Sequence, residues 1–112
     1  IGTIPVEVAQ LHRLESLILS QNAVGGPIPV ELFTLKKLAS LDLNSNMLTG
    51  RIPEEIHQSS MLELVDLSGN QLVGGIPNTI YDLTLLSELS HKDLEQSDTN
   101  LSTFLLLQER CV

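Results

Sequence analysis

Residues 38–61 read LASLDLNSNMLTGRIPEEIHQSSM, and this stretch decides the fold. Leucines stand at Leu38, Leu41 and Leu43, asparagine at Asn46, glycine at Gly50, and Ile52-Pro53 precedes the next apolar position, Ile56. The same order returns 24 residues earlier and 24 residues later. Asn22, Asn46 and Asn70 share one phase, as do Gly26, Gly50 and Gly74, then Ile28, Ile52 and Ile76, then Pro29, Pro53 and Pro77. The apolar positions keep step: Leu14, Leu38, Leu62 and Leu86; Leu17, Leu41, Val65 and Leu89; Leu19, Leu43 and Leu67. A fixed period of roughly 20–50 residues marks a stack of like units, each burying its apolar face on its neighbours.

Three full units fit, from Leu14 to Lys37, Leu38 to Met61 and Leu62 to Leu85. Gly2-Thr3-Ile4-Pro5 with Val8 and Leu11 is the second half of an earlier unit, so residues 1–13 count as a half repeat. Leu86 to Leu89 opens a fifth unit that then loses the pattern: His91 stands where a core leucine is expected, Leu94 where the asparagine is expected and Asp98 where the glycine is expected. The array is thus read as residues 1–89, with a degenerate tail over residues 90–112.

Each position has a physical reading. The x-Leu-x-Leu-x segment alternates with period two, the signature of a short strand with one face buried. Stacked units set these strands side by side in a parallel sheet, Leu17 and Leu19 meeting Leu41 and Leu43, then Val65 and Leu67. The asparagine ends the strand, where backbone groups turn inward away from water. Its amide offers two donors and an acceptor to satisfy them, so Asn22, Asn46 and Asn70 are expected to stack as a buried structural ladder. The glycines permit positive φ or close backbone approach. The prolines fix φ and lead into a short helical turn, whose start Glu31 or Glu54-Glu55 would favour electrostatically.

The unit L-x-x-L-x-L-x-x-N-x-L-x-G-x-I-P resembles the leucine-rich repeat, and through its G-x-I-P segment the plant-type 24-residue subclass. The resemblance implies an α/β solenoid with a short parallel β-sheet on the concave side and 3₁₀ or short helices with the I-P segments on the convex side. It also implies a protein- or peptide-binding module, part of the extracellular region of a plant receptor that perceives signals, with a peptide or protein ligand and a co-receptor as partners. The implied location is the outer side of the plasma membrane or the apoplast. Two other readings stay open: a secreted inhibitor similar to those of polygalacturonases, and a truncated fragment with no independent function.

In such a solenoid the strand residues between the leucines face outward and form columns across the repeats. Ser16, Ser40 and Leu64 make one column and Ile18, Asp42 and Asp66 the next, followed by Ser20, Asn44 and Ser68, then Gln21, Ser45 and Gly69. This face is the candidate binding site. Strands lie about 5 Å apart, so Asp42 and Asp66 are close enough to grip one Lys or Arg jointly.

Composition excludes other classes. Fourteen acids against six bases give a net charge of −8, which disfavours nucleic acid and anionic membranes. Two Phe and one Tyr do not make a base-stacking platform. No apolar run approaches the roughly 18 residues needed to span a bilayer, and no signal peptide precedes the repeats. The single cysteine, Cys111, cannot form an internal disulfide. No cofactor, metal motif, kinase signature or hydrolase motif occurs, and His12, His57 and His91 share no column with a nucleophile, so no enzyme activity is expected. In the tail, Leu101, Phe104, Leu105 and Gln108 would share one helical face, which reads either as a terminal cap or as an end that has run out of repeats. Asn100-Leu101-Ser102 is the one glycosylation sequon.

Overall fold

The computed structural model describes residues 2–90; the expectations for the tail, including the helical cap and Asn100, lie outside the described residues. Among the described residues, seven strands form two parallel sheets. The first sheet is built from β1 (Ser16–Ile18), β3 (Ser40–Asp42), β5 (Leu64–Asp66) and β7 (Glu88–Ser90), in that order. The second comprises β2 (Gly25–Pro27), β4 (Met47–Arg51) and β6 (Gln71–Val73). The first sheet is the concave side of the solenoid, and four 3₁₀ turns, Val6–Gln10, Val30–Thr34, Glu54–Gln58 and Asn78–Asp82, form the convex side.

The 3₁₀ turns follow from the prolines. Pro5, Pro29, Pro53 and Pro77 immediately precede them with φ of −72°, −69°, −63° and −68°, the value the ring imposes. Each proline carbonyl accepts the first bond of its turn at 3.1 Å, from Val8, Leu32, Ile56 and Ile80 N–H. That spacing of three residues defines the tighter helix, which suits five-residue pieces.

The core is the repeated apolar set. Leu38, Leu41, Leu43, Leu48, Ile52 and Ile56 of the central unit are all buried, as are Leu62, Val65, Leu67, Leu72, Ile76 and Ile80 of the next. Leu86 and Leu89 are buried too, so the fifth unit completes its strand before the pattern fades. In the first unit Leu14, Leu17, Leu19 and Val24 are only partly buried, because no described strand lies on their outer side. Each fully buried side chain contributes roughly 1.5–3 kcal/mol, and nearly all of that burial is supplied by a neighbouring repeat. Two positions depart from the pattern. Phe33 is fully buried where the other repeats carry half-buried Ala9, His57 and Tyr81. Ser59 occupies a leucine position of the core; its hydroxyl sits 3.2 Å from Phe33 O and 3.0 Å from Leu35 O, where it can serve the free carbonyls at the end of the preceding 3₁₀ turn.

The asparagines join the sheets. Asn46 Nδ2 donates to Leu43 O at 3.0 Å and Asn44 O at 3.1 Å in its own repeat, and to Leu19 O at 2.9 Å in the preceding one. Asn46 Oδ1 accepts from Asn22 N–H at 3.2 Å and Val24 N–H at 3.1 Å. Asn70 repeats the arrangement on Leu43, Leu67 and Ser68 carbonyls and Leu48 N–H. Asn46 is 8% exposed, Asn70 is half-buried and Asn22 is exposed. For Asn22 the difference is positional: Asn46 and Asn70 also bond the preceding repeat, whereas the Asn22 amide donates to the Leu19 and Ser20 carbonyls of its own.

The second sheet was not expected. Its register steps by 22 residues, Gly26 facing Leu48 and Gly50 facing Leu72, whereas the first sheet steps by the full 24. Equivalent positions therefore advance two residues per repeat on one side, about 6–7 Å of strand, and none on the other. A rigid unit can do that only by rotating on its neighbour, so the stack twists. The repeat glycines adopt φ of 74°, 81° and 84° within or just beyond these strands, a conformation other residues resist.

Removing a ladder asparagine should cost stability according to how many groups it serves. Asn46→Ala leaves inward backbone groups unpaired and is expected to destabilise by roughly 1–3 kcal/mol, whereas Asn22→Ala should cost well under half as much. Equilibrium urea denaturation of the three proteins checks this ordering.

Candidate functional site

The first sheet brings the sequence-derived columns into register. Ser16 pairs with Ser40, Ser40 with Leu64, and Leu64 with Glu88; Ile18 pairs with Asp42, Asp42 with Asp66, and Asp66 with Ser90. Glu88 and Ser90 thus extend the face by one strand. Sequence reading missed them because the pattern breaks just beyond Leu89, although the phase of Leu86 and Leu89 was a signal for them. Ile18 is 61% exposed and Ser16 is exposed, while Ser40, Leu64, Asp42 and Asp66 are half-buried by their neighbours.

The carboxylates are held by local donors. Asp42 Oδ1 accepts from the backbone N–H of Asn44 at 3.1 Å, and Asp66 Oδ1 accepts from that of Ser68 at 3.1 Å. These are side-chain turns made by an aspartate two residues before its donor. Ser68 Oγ adds a bond to Asp66 Oδ1 at 2.7 Å. The Asn44 amide donates to Asp42 Oδ1 and reaches Asp66 Oδ2 at 3.4 Å, so it bridges the pair. Like charges directly opposite in a sheet repel, and Asn44 supplies only a neutral donor between them. The result is a pair of carboxylates on adjacent strands tied together through the Asn44 amide. Ser20 has no such turn, because the residue two before it is Ile18 rather than an aspartate.

Gln21 and Ser45 stand at the turn that ends the strand, both exposed, with φ of 59° and 60°. Gly69 takes φ 69° at the same phase. Left-handed backbone at a non-glycine residue often marks a functional site. Here it recurs at this phase in all three full repeats, and Gln21 N–H and Ser45 N–H bond Asn44 O and Ser68 O at 2.9 Å, so the fold itself requires it. Asn22, Asn46 and Asn70 point into the stack rather than onto the face. Among the described residues no cluster of His, Cys, Asp and Glu is arranged to hold a metal, and no helix is long and apolar enough to cross a membrane.

With this geometry in hand, comparison with known proteins places the chain. The leucine rich repeat family model matches residues 12–72, and the chain belongs to that family. A search of curated proteins found no match. Solved structures are similar over most of the chain. They include the plant peptide hormone receptor RGFR1 in complex with RGF2, 38% identical over 83% of this chain with a TM-score of 0.81. The Arabidopsis receptor kinase HAESA, in complex with the peptide hormone IDA and the co-receptor SERK1, is 34% identical over 83% with a TM-score of 0.80. The ectodomain of the receptor kinase SOBIR1 from Arabidopsis thaliana is 35% identical over 82% with a TM-score of 0.78. The chain spans 15%, 16% and 50% of those three chains respectively.

The strand-end turn yields a prediction. A Cβ at Gly69 would lie 3.1 Å from Ser45 N in left-handed backbone, so Gly69→Ala should cost about 1–2 kcal/mol. Ser45→Gly, which removes the same strain, should cost almost nothing. Thermal melts followed by circular dichroism distinguish the two.

Proposed function

We propose that this chain is a protein- or peptide-recognition segment from the extracellular region of a plant leucine-rich-repeat receptor, and that its ligand lies along the first sheet. The likeness to receptor ectodomains, two of them solved with peptide hormones, supports the class. The observation that carries the site is the Asp42–Asp66 pair, opposite in register and fixed by Asn44 and Ser68. A lysine or arginine of an extended ligand relieves the repulsion between these carboxylates and gains charge-assisted bonds to both. Ile18 and Leu64 offer apolar contact on either side of it, and Ser16 and Ser40 offer hydroxyls. Binding needs no closure, since the face is built from paired strands. By analogy with the complex that contains both a hormone and SERK1, a co-receptor is a second partner of the parent receptor. No catalytic step is proposed.

The test uses short synthetic peptides carrying a single Arg or Lys amid Ser and Leu, read by fluorescence polarisation against the full chain. Asp42→Asn with Asp66→Asn keeps the acceptor oxygens of the turns but removes both charges. It should weaken the best cationic peptide by about tenfold or more, the loss of roughly one charge-assisted bond. Glu54→Gln with Glu55→Gln, on the convex side, should leave it unchanged. Equal losses in the two variants would overturn the assignment.

A further inference from the structure

Each 3₁₀ turn is joined to the following strand of the first sheet by a two-residue turn, at residues 12–13, 36–37, 60–61 and 84–85. All eight residues are exposed. Just after each turn a backbone bond crosses to the neighbouring repeat, from Ala39 N–H to Glu15 O, Glu63 N–H to Ala39 O and Ser87 N–H to Glu63 O, at 2.8–2.9 Å. These bonds hold the turns at strand spacing, about 5 Å, in one lateral strip. The strip reads His12-Arg13, Lys36-Lys37, Ser60-Met61, Thr84-Leu85. Three of the six bases in a chain of net charge −8 stand in its first two steps. The last two steps place Met61 and Leu85, 45% and 50% exposed, in the same column as Arg13 and Lys37.

Among the described residues these bases make no ion pair. Among the described residues the ion pair is His57–Asp82, at 3.9 Å, and no acid lies within ion-pair distance of Arg13, Lys36 or Lys37. Glu15 and Glu63 border the strip without closing such a pair. Lys36 Nζ donates to Gln58 O at 3.2 Å, which anchors that ammonium over the next turn.

We infer that this strip docks a protein segment that is acidic at one end and apolar at the other, running across the turns. Charge complementarity selects the occupant. The strip is a local cationic patch on an anionic molecule, so its partner must carry its charge in a short cluster. At physiological salt the Debye length of about 8 Å screens the distant acids of the chain, but neither Glu15 and Glu63 at the strip's border nor groups in contact with it. Met61 and Leu85 then fix the direction, because only one orientation of the segment meets both its charged and its apolar ends. The site is separate from the Asp42–Asp66 face and opposite to it in sign, so the two surfaces take different partners.

The probe is a fluorescein-labelled peptide with Asp-Glu pairs at one end and Leu-Leu at the other, titrated against the full chain. The orientation in which the acids meet Arg13 is set by comparison with the order-reversed peptide. Binding should fall by about tenfold or more in Arg13→Glu with Lys37→Glu, and should weaken steeply with salt. Met61→Ser with Leu85→Ser should weaken it severalfold, and a peptide lacking the leucines should be insensitive to that change. Asp42→Asn with Asp66→Asn should leave it unaltered, which separates this site from the first-sheet face whether or not that face binds. All the changed turn residues are exposed, and unaltered melting curves would verify the fold. Unchanged binding in the charge-reversed variant would overturn the inference. So would equal affinity for anionic lipid vesicles or single-stranded DNA with no dependence on Met61 and Leu85, since that would be attraction to charge alone.

Discussion

The structure depends on one side chain doing the work of a missing strand. Where the chain leaves the first sheet, the carbonyls of Leu19 and Leu43 and the N–H groups of Asn22 and Val24 are served by a side chain rather than by the backbone of either sheet, while Asn44 O also accepts from Gln21 N–H. That side chain is Asn46, with three carbonyls sharing its two hydrogens and two N–H groups sharing its oxygen. Because Leu19 O and Val24 N–H belong to the preceding repeat, the bond set fixes one repeat on the next as well as one strand on its turn. The leucines supply most of the free energy, but they do not by themselves specify this spacing.

From that joint the two sheets diverge. The first keeps the full period in its register and so presents straight columns; the second slips by two residues per repeat and forces the twist. Straight columns are what make a binding surface possible here, since a chemical choice made once per repeat becomes a row of groups at strand spacing. The carboxylates of Asp42 and Asp66 form such a row on the first sheet, and the bases of Arg13 and Lys37 form another on the lateral turns. The same period that builds the core therefore segregates charge onto separate faces of a small, acidic molecule.

Much of this was legible in the sequence because the repeat fixes phase. The alternation at Leu41 and Leu43, the inward Asn46 and the proline-led turns follow from residue type and spacing alone. The second sheet was not legible: Gly25-Gly26-Pro27 has the composition of a turn, and its pairing arises from backbone left extended after the asparagine, not from strand-forming side chains. Phe33 was hidden because the repeat gives no apolar expectation at its phase, and Ser59 because a polar residue at a leucine position is stable only when carbonyls such as those of Phe33 and Leu35 are in reach. On the candidate face, the columns were readable, but the Asn44 bridge and the turns made by Asp42 and Asp66 depend on side-chain geometry that no pattern encodes.

The most direct test of the central claim is amide hydrogen exchange measured by NMR at Val24 and Leu48, whose N–H groups are bonded to the Asn46 and Asn70 side chains rather than to any strand. If the asparagines hold the repeats together, both amides exchange as slowly as the sheet amides of Leu19 and Leu43. Asn70→Ala then releases Leu48 while leaving Val24 protected. Rapid exchange at Val24 and Leu48 while Leu19 and Leu43 stay protected would contradict the account, because the sheets would then be holding the stack without the ladder.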